Sequence, residues 1–318
     1  MPFVIQPEED LASALRRIAG EQAARGLEGL SAGMAHPADA VDDQQEDPWD
    51  EGVHDARKRC KKIRAVARLC RDALGEAYSP INAAFRDAAR LVGDARDAWA
   101  LVETVDLLAA RDDDDLCPEE VASEIRRAMV ERYRRVRTAS ADADLPAEAH
   151  RALLDAADGI EGWPLPDAMT VAHLQPSIAR VHHRGRQRWH ELRDTLDDDP
   201  DATTEEWHDW RKRVKYLRYQ VSLLEEAWPE VMSATESLLH DLSDALGEDH
   251  DLAVLAEVLR AEQPLDAART EQVVGAINAQ RHVLRHDAML LAPLVYAEPT
   301  EAFAARLVGW AGHGLGLA

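Results

Sequence analysis

The chain has 318 residues, of which 46% are hydrophobic and 5% aromatic, and its formal net charge is −23. It is long enough to bury a core as one large domain or as two smaller halves. No stretch reaches the roughly 18 uncharged apolar residues that a transmembrane helix needs, and residues 1–10 lack a basic segment followed by an apolar run. We therefore expect neither a membrane span nor a secretion signal.

Apolar residues recur at helical spacing along most of the chain, which is rich in the helix formers Ala, Leu, Arg and Glu. From the N-terminus, this pattern and its breakers predict helices at 8–32, 53–76, 80–109, 118–139 and 147–158, with a loop at 33–50. Further along, it predicts helices at 171–196, 205–228, 230–261, 267–291 and 299–312. No run alternates as a strand would, so the predicted fold class is all-α, with four long helices in each half.

All five lysines of the chain lie in two short segments that are near-copies of each other. Residues 54–64 read HDARKRCKKIR and residues 208–218 read HDWRKRVKYLR, with seven of eleven positions identical. At the same offset of 154, residues 85–101 align with residues 239–255 and share Asp-x5-Gly-[Asp/Glu]-x-x-Asp. Two matches in one register indicate a tandem duplication, with a first half at 1–160 and a second half at 161–318.

Each copy of the basic segment is amphipathic when it is drawn as a helix. One side carries apolar residues such as Ile63 and Val214, and the other carries an unbroken basic stripe. Arg59 and Arg213 point elsewhere and are predicted to form structural ion pairs. The two stripes, which are the predicted binding residues, consist of His54, Arg57, Lys58, Lys61 and Arg64 in the first copy, and of His208, Arg211, Lys212, Lys215 and Arg218 in the second.

A stripe of Arg, Lys and His over three helical turns suits a polymer of phosphates better than one small anion, because each turn advances about 5.4 Å. The alternative is that the stripes are solvated faces or partners of nearby carboxylates. Further arginines are candidates to extend the binding surface: Arg16, Arg17, Arg68, Arg132, Arg180, Arg184, Arg188, Arg281 and Arg285.

Acidic residues of the other repeated pair, residues 85–101 and 239–255, are predicted to support these stripes. Asp97 and Asp251 are expected to accept hydrogen bonds from motif side chains, and Gly93 and Gly247 to let helices approach closely. A metal site is not expected, because Arg and Lys surround His54 and His208 and would repel a divalent cation. A catalytic centre is not expected either, because phosphohistidine chemistry needs a partner base and a phosphodonor site, and the sequence shows neither. No glycine-rich phosphate loop is present, and no cofactor is expected.

The duplicated His-x-x-Arg-Lys-x-x-Lys-x-x-Arg helix, followed by the Gly-x-x-x-Asp segment, resembles the CHAD domain, the conserved histidine α-helical domain. The resemblance covers residues 8–312. It implies two tandem four-helix bundles related by a pseudo-twofold axis, with a basic groove or channel between them. It also implies binding of inorganic polyphosphate through the ten stripe residues, and association with polyphosphate granules in some members. Many relatives carry a CYTH domain, and this chain has no β-rich segment that matches one.

Two other functions stay open. Phosphate backbones of nucleic acids attract the same stripes, although the acidic remainder of the chain would repel a duplex and few aromatic residues are placed to stack on bases. The chain could also be a helical scaffold that recruits protein partners through its acidic exterior. We expect a cytoplasmic protein that associates with polyphosphate granules.

The cysteines and the acidity bear on the environment of the protein. The three cysteines have no disulfide-framework spacing, which favours a reducing cytoplasm, and Cys60 and Cys70 are predicted to be buried structural thiols. Sixty Asp and Glu against thirty-seven Lys and Arg are what a protein working in high salt would show, or simply an acidic solvated surface.

Overall fold

The computed structural model describes residues 3–36, 48–111, 118–196 and 204–317, and within these ranges it contains helices and no strands. The all-α prediction is therefore confirmed. The α-helices are α1 (Leu11–Met34), α2 (Pro48–Leu69), α3 (Arg71–Leu74), α4 (Tyr78–Leu91), α5 (Gly93–Ala109), α6 (Glu119–Asp142), α7 (Leu145–Asp158), α8 (Gln175–Leu196), α9 (Thr204–Leu223), α10 (Pro229–Glu262), α11 (Ala267–Val295) and α12 (Thr300–Gly314). Short 3-10 turns occupy Gly75–Ala77, Val171–Leu174 and Glu225–Ala227.

The predicted helix at 80–109 is wrong in one respect, because it is two helices that meet at Val92. The guanidinium of Arg57 donates a hydrogen bond of 3.3 Å to the carbonyl of Ala89. That carbonyl is the acceptor that the Gly93 N–H would use in a continuous helix. In the second half the equivalent segment is one long helix, α10.

The start of α2 also differs from the prediction, which placed residues 48–50 in a loop. The helix begins at Pro48 and has Asp50 and Glu51 in its first turn. Proline suits the first helical position, and carboxylates there interact favourably with the helix dipole. The part of the predicted loop at 37–47 lies outside the described residues.

Helices α1 and α2 pack closely, because small residues face each other at their contact. A Cβ atom on Gly52 would lie 2.3 Å from the carbonyl oxygen of Gly29, closer than any real side chain permits. This close contact packs α2 against α1. The face of α2 that points away from α1 can then carry charged residues.

Two hydrophobic clusters form the core, and each takes residues from both sides of residue 160. The first includes Ile63 of α2 and Trp210 of α9. The second joins α5 and α6, through residues such as Tyr133, to α10 and α11, through Leu255 and Ile277. The halves 1–160 and 161–318 thus describe the sequence repeat, and their correspondence to two separate bundles stays a prediction.

Cys60 and Cys70 are free and buried, as predicted. Burial raises the pKa of both thiols to about 12, so they are unreactive at neutral pH. Cys117 lies outside the described residues. No helix in the described part of the chain is both long and apolar enough to span a bilayer.

Candidate anion-binding site

The two basic stripes meet in one cavity of about 650 Å³, to which α2, α5, α9 and α10 contribute. Eight of the ten predicted stripe residues line it. They are His54, Arg57, Lys58 and Lys61 from α2, and His208, Arg211, Lys215 and Arg218 from α9. The two others are not among its lining residues: Arg64 donates to Asn82 at 3.0 Å, and Lys212 is an exposed neighbour of His208.

The stripes face the cavity because the opposite side of each helix is buried in the core. In α2 the buried side includes Val53 and Ile63, and in α9 it includes Trp207 and Val214. Apolar residues at helical spacing thus hold one face of each helix in the core, and the basic face is left towards the partner helix.

The side-chain contacts of the first stripe recur in the second with every residue shifted by 154 positions. Arg57 and Arg211 each pair with a carboxylate in the repeated residues 85–101 and 239–255. Arg59 and Arg213 each pair within their own helix. Arg64 and Arg218 each bond to the residue 18 positions further on. The matched pairs are Arg57–Asp97 (2.9 Å) and Arg211–Asp251 (3.8 Å), Arg59–Asp55 (2.9 Å) and Arg213–Asp209 (2.9 Å), and Arg64–Asn82 (3.0 Å) and Arg218–Glu236 (2.6 Å). The prediction that Arg59 and Arg213 form ion pairs is confirmed.

The repeated glycines make room for arginines rather than for neighbouring helices. A Cβ atom on Gly93 would lie 2.6 Å from Nη1 of Arg57, and one on Gly247 would lie 3.3 Å from Nη2 of Arg211. The prediction that these glycines let helices approach is therefore wrong. They let the guanidinium groups of Arg57 and Arg211 come close to the backbone of the facing helix.

The cavity holds more positive than negative charge. Seven Lys or Arg and three His line it, against three carboxylates, Asp97, Asp244 and Asp251. Within the described residues, none of the lysines of the two stripes forms an ion pair, in contrast to most arginines of the chain. The stripes are thus not simply partners of nearby carboxylates.

Two ammonium groups that line the cavity show the effect of this crowding, although the Lys61 side chain is partly open to solvent and that of Lys215 is half-buried. Desolvation by the surrounding protein, together with the charges of Lys215 and Arg57, lowers the pKa of Lys61 to about 7. Burial and the charge of Arg211 lower the pKa of Lys215 to about 8. The free cavity therefore disfavours its own positive charge, and an entering anion would relieve the repulsion.

A stacked pair of imidazoles, His208 and His250, lies in the same cavity, with ring centroids 4.1 Å apart. The pKa of each is lowered to about 4, chiefly by burial and also by nearby cations, so both rings are neutral at pH 7. Sequence reasoning missed His250 and also Arg96, its equivalent in the first copy, which lines the cavity as well. The signal was available: each is a basic residue directly before Asp97 or Asp251.

None of the nine additional arginine candidates, all of which are described, is among the residues that line this cavity. Most are held by the chain's own acceptors, which the sequence could not foresee. Arg16 donates to the Trp163 carbonyl, Arg17 pairs with Glu9, Arg132 with Glu262, Arg180 with Asp72, Arg188 with Asp209, and both Arg281 and Arg285 with Asp249. Arg68 stacks on Tyr216 at 3.6 Å, and it borders a separate small cavity together with Arg184.

No group of three or more His, Cys, Asp or Glu residues in the described ranges is arranged to hold a metal ion. The imidazoles of the cavity lie among guanidinium and ammonium groups, which favour anions. The absence of a metal site and of catalysis stays a prediction.

Comparisons with known proteins give the same picture of the fold. The family model described as the CHAD domain matches residues 11–260. The crystal structure of the CHAD domain from the plant Ricinus communis superposes with a TM-score of 0.61 at 17% identity, covering 94% of this chain and 96% of that one. PptA from Streptomyces chartreusis superposes with a TM-score of 0.52 at 15% identity, covering 93% and 99%. At such identities these structures show a shared fold alone. No curated protein matches the chain.

Proposed function

Since this chain belongs to the CHAD domain family, we propose that it binds inorganic polyphosphate through its paired basic helices, without catalysing a reaction on the polymer. The family is linked to polyphosphate binding in general. The observation that carries the proposal for this chain is the single cavity in which eight stripe residues from both copies come together.

The spacing of the charges fits a repeating anion. Arg57, Lys61 and Arg64 follow one another along α2, and Arg211, Lys215 and Arg218 do so along α9. Cations on successive turns, about 5.4 Å apart along each helix, can contact successive phosphates of one chain. Two facing rows of cations can contact such a chain from both sides. A single small anion cannot contact all of these cations at once.

The surroundings of the cavity favour a thin polymer without bases over a nucleic acid. Tyr219 is the one Phe, Tyr or Trp side chain among the lining residues, so it offers little stacking for a base. The rest of the chain is acidic enough to give a net charge of −23, and a wide duplex would approach that surface as well as the cavity. A flexible polyphosphate chain can enter the cavity without this repulsion.

We also propose that the protein associates with polyphosphate granules in the cytoplasm. A cavity that holds part of a long chain ties the protein to the polymer, while its acidic exterior stays exposed on the other sides. Recruitment of protein partners through that exterior is compatible with this binding and would be a second task of the same molecule.

Salt tests the electrostatic basis of the proposal. We expect polyphosphate affinity to fall by about a thousandfold between 50 and 200 mM salt. Roughly six or more phosphate contacts each release a counterion from the polymer, and added salt opposes that release. Fluorescence polarisation of labelled polyphosphate at several salt concentrations measures this slope. A flat response would contradict binding by the stripes.

A further inference from the structure

An apolar groove of about 410 Å³ adjoins the basic cavity. It lies between α5, α6 and α10, and small or branched side chains line it, among them Ala95, Ala98, Val136 and Val258. The half-buried Val136 and Val258 leave part of this lining open to solvent. Its volume falls within the range of about 300–1,000 Å³ that is usual for small-molecule sites.

The groove and the cavity are continuous, since Asp97, Leu101 and Val254 line both. Arg57, bonded to Asp97 at 2.9 Å, and Arg96 stand on the cavity side of this junction. A single ligand can therefore place phosphates among the cations and a less polar group in the groove.

Two of the residues that line the groove carry buried polar atoms that have no hydrogen-bond partner in the described residues. Ser140 is 6% exposed, and its hydroxyl bonds to nothing in the described residues. Nε of Arg132 is likewise buried and unbonded, and the exposed residue Asp94 also lines the groove. A hydrocarbon tail would leave these groups unsatisfied, whereas a nucleoside offers hydroxyls, ring nitrogens and exocyclic groups that can bond to them.

We propose that the site accepts nucleoside oligophosphates, with the base and ribose in the groove and the phosphates in the basic cavity. This inference rests on the proposed function, because it uses the same cations for the phosphates. The apolar walls contact the faces of the base, and the polar atoms at Ser140, Arg132 and Asp94 contact its edges and the ribose.

Calorimetric titration of the full chain with ATP and with methyl triphosphate, in magnesium-free buffer, tests the proposal. The two ligands carry the same triphosphate ester, so a difference in affinity reports the nucleoside. We expect ATP to bind about tenfold tighter, as burial of its base and ribose predicts. Val136→Trp fills the groove without changing charge and should abolish this difference. The matched control is Val283→Trp, at an exposed position of α11 outside both cavities, which should preserve it.

Equal affinities of the wild-type protein for the two ligands would overturn the inference, and this comparison needs no variant to fold. Retention of the ATP preference in Val136→Trp would overturn it as well. Long-chain polyphosphate titrated in the same buffer separates the two proposals. If it binds while ATP has no advantage, the nucleoside inference fails and polyphosphate binding stands; if nothing binds, the proposed function itself fails.

Discussion

Replacing Lys58, Lys61, Lys212 and Lys215 together by glutamine is expected to abolish polyphosphate binding and to leave the fold intact. Lys58, Lys61 and Lys215 line the cavity, in which cations outnumber carboxylates, and none of the four lysines has an ion-pair partner among the described residues. Their loss removes contacts to the polymer without leaving a carboxylate unpaired. Because burial and like charges already depress the pKa of Lys61 and Lys215, removing those charges should not lower the melting temperature.

The matched control removes four positive charges elsewhere. Arg126, Arg151, Arg193 and Arg260 each pair with a carboxylate outside the cavity, and changing all four to glutamine alters the net charge by the same amount. We expect this variant to keep nearly all of its affinity for polyphosphate. Circular dichroism and thermal melting of both variants check the fold. Collapse of the lysine variant alone would show that the stripe is structural.

Polyphosphate affinity is expected to fall as the pH rises from about 7 to about 9. In the free protein Lys61 has a pKa of about 7 and Lys215 one of about 8, so both lose their protons across this window. A bound polyanion favours the charged form of an ammonium group, so Lys61 and Lys215 must take up protons when the polymer binds. Each proton taken up lowers the affinity about tenfold for every pH unit above the pKa of that lysine in the free protein. The same logic predicts a further gain in affinity below about pH 6 through His208 and His250.

The stability of the free protein should change in the opposite direction. A lysine whose pKa is lower in the folded than in the unfolded state binds more protons when unfolded, so the free energy of unfolding rises with pH between about 7 and about 10. Thermal melting without ligand at several pH values measures this trend. Affinity falling while stability rises is a combination that general loss of structure does not produce.

Lys61→Arg combined with Lys215→Arg is the control for the pH effect. Arginine stays charged through this whole range, so the variant should show a nearly flat affinity profile between pH 7 and 9. Calorimetry in two buffers of different ionisation enthalpy counts the protons taken up directly. A flat profile in the wild-type protein, or an unchanged slope in the arginine variant, would contradict the assignment to these lysines.

The sequence predicts the helices well because apolar spacing along each one is regular and breakers mark most ends. One exception, at Val92, coincides with a tertiary contact, the bond from Arg57 to the Ala89 carbonyl, which no local pattern encodes. Another is the predicted helix at 53–76, which is interrupted at Cys70 and continues only as the short α3 to Leu74. The early start of α2 was missed because the segment at 33–50 carries no apolar periodicity, although proline followed by acidic residues is a known helix-start signal.

The site was predictable where the repeat duplicated residue types, and less so elsewhere. The identical positions of residues 54–64 and 208–218 largely identify the residues of one cavity. Arg96 and His250 escaped notice because the two copies use different basic residues at the same place. The additional arginines were candidates on charge alone, and carboxylates distant in sequence, such as Asp249 for Arg281 and Arg285, hold several of them.

The most direct test is a titration of the purified protein with long-chain polyphosphate, with pyrophosphate, single-stranded DNA and duplex DNA titrated in parallel. A cavity formed by both basic stripes predicts tight binding of polyphosphate, with one site per protein, and much weaker binding of the other three ligands. DNA binding that equals or exceeds polyphosphate binding would contradict the proposal and favour a nucleic-acid-binding protein. No binding of any ligand at low salt would leave a helical scaffold whose basic stripes serve another partner.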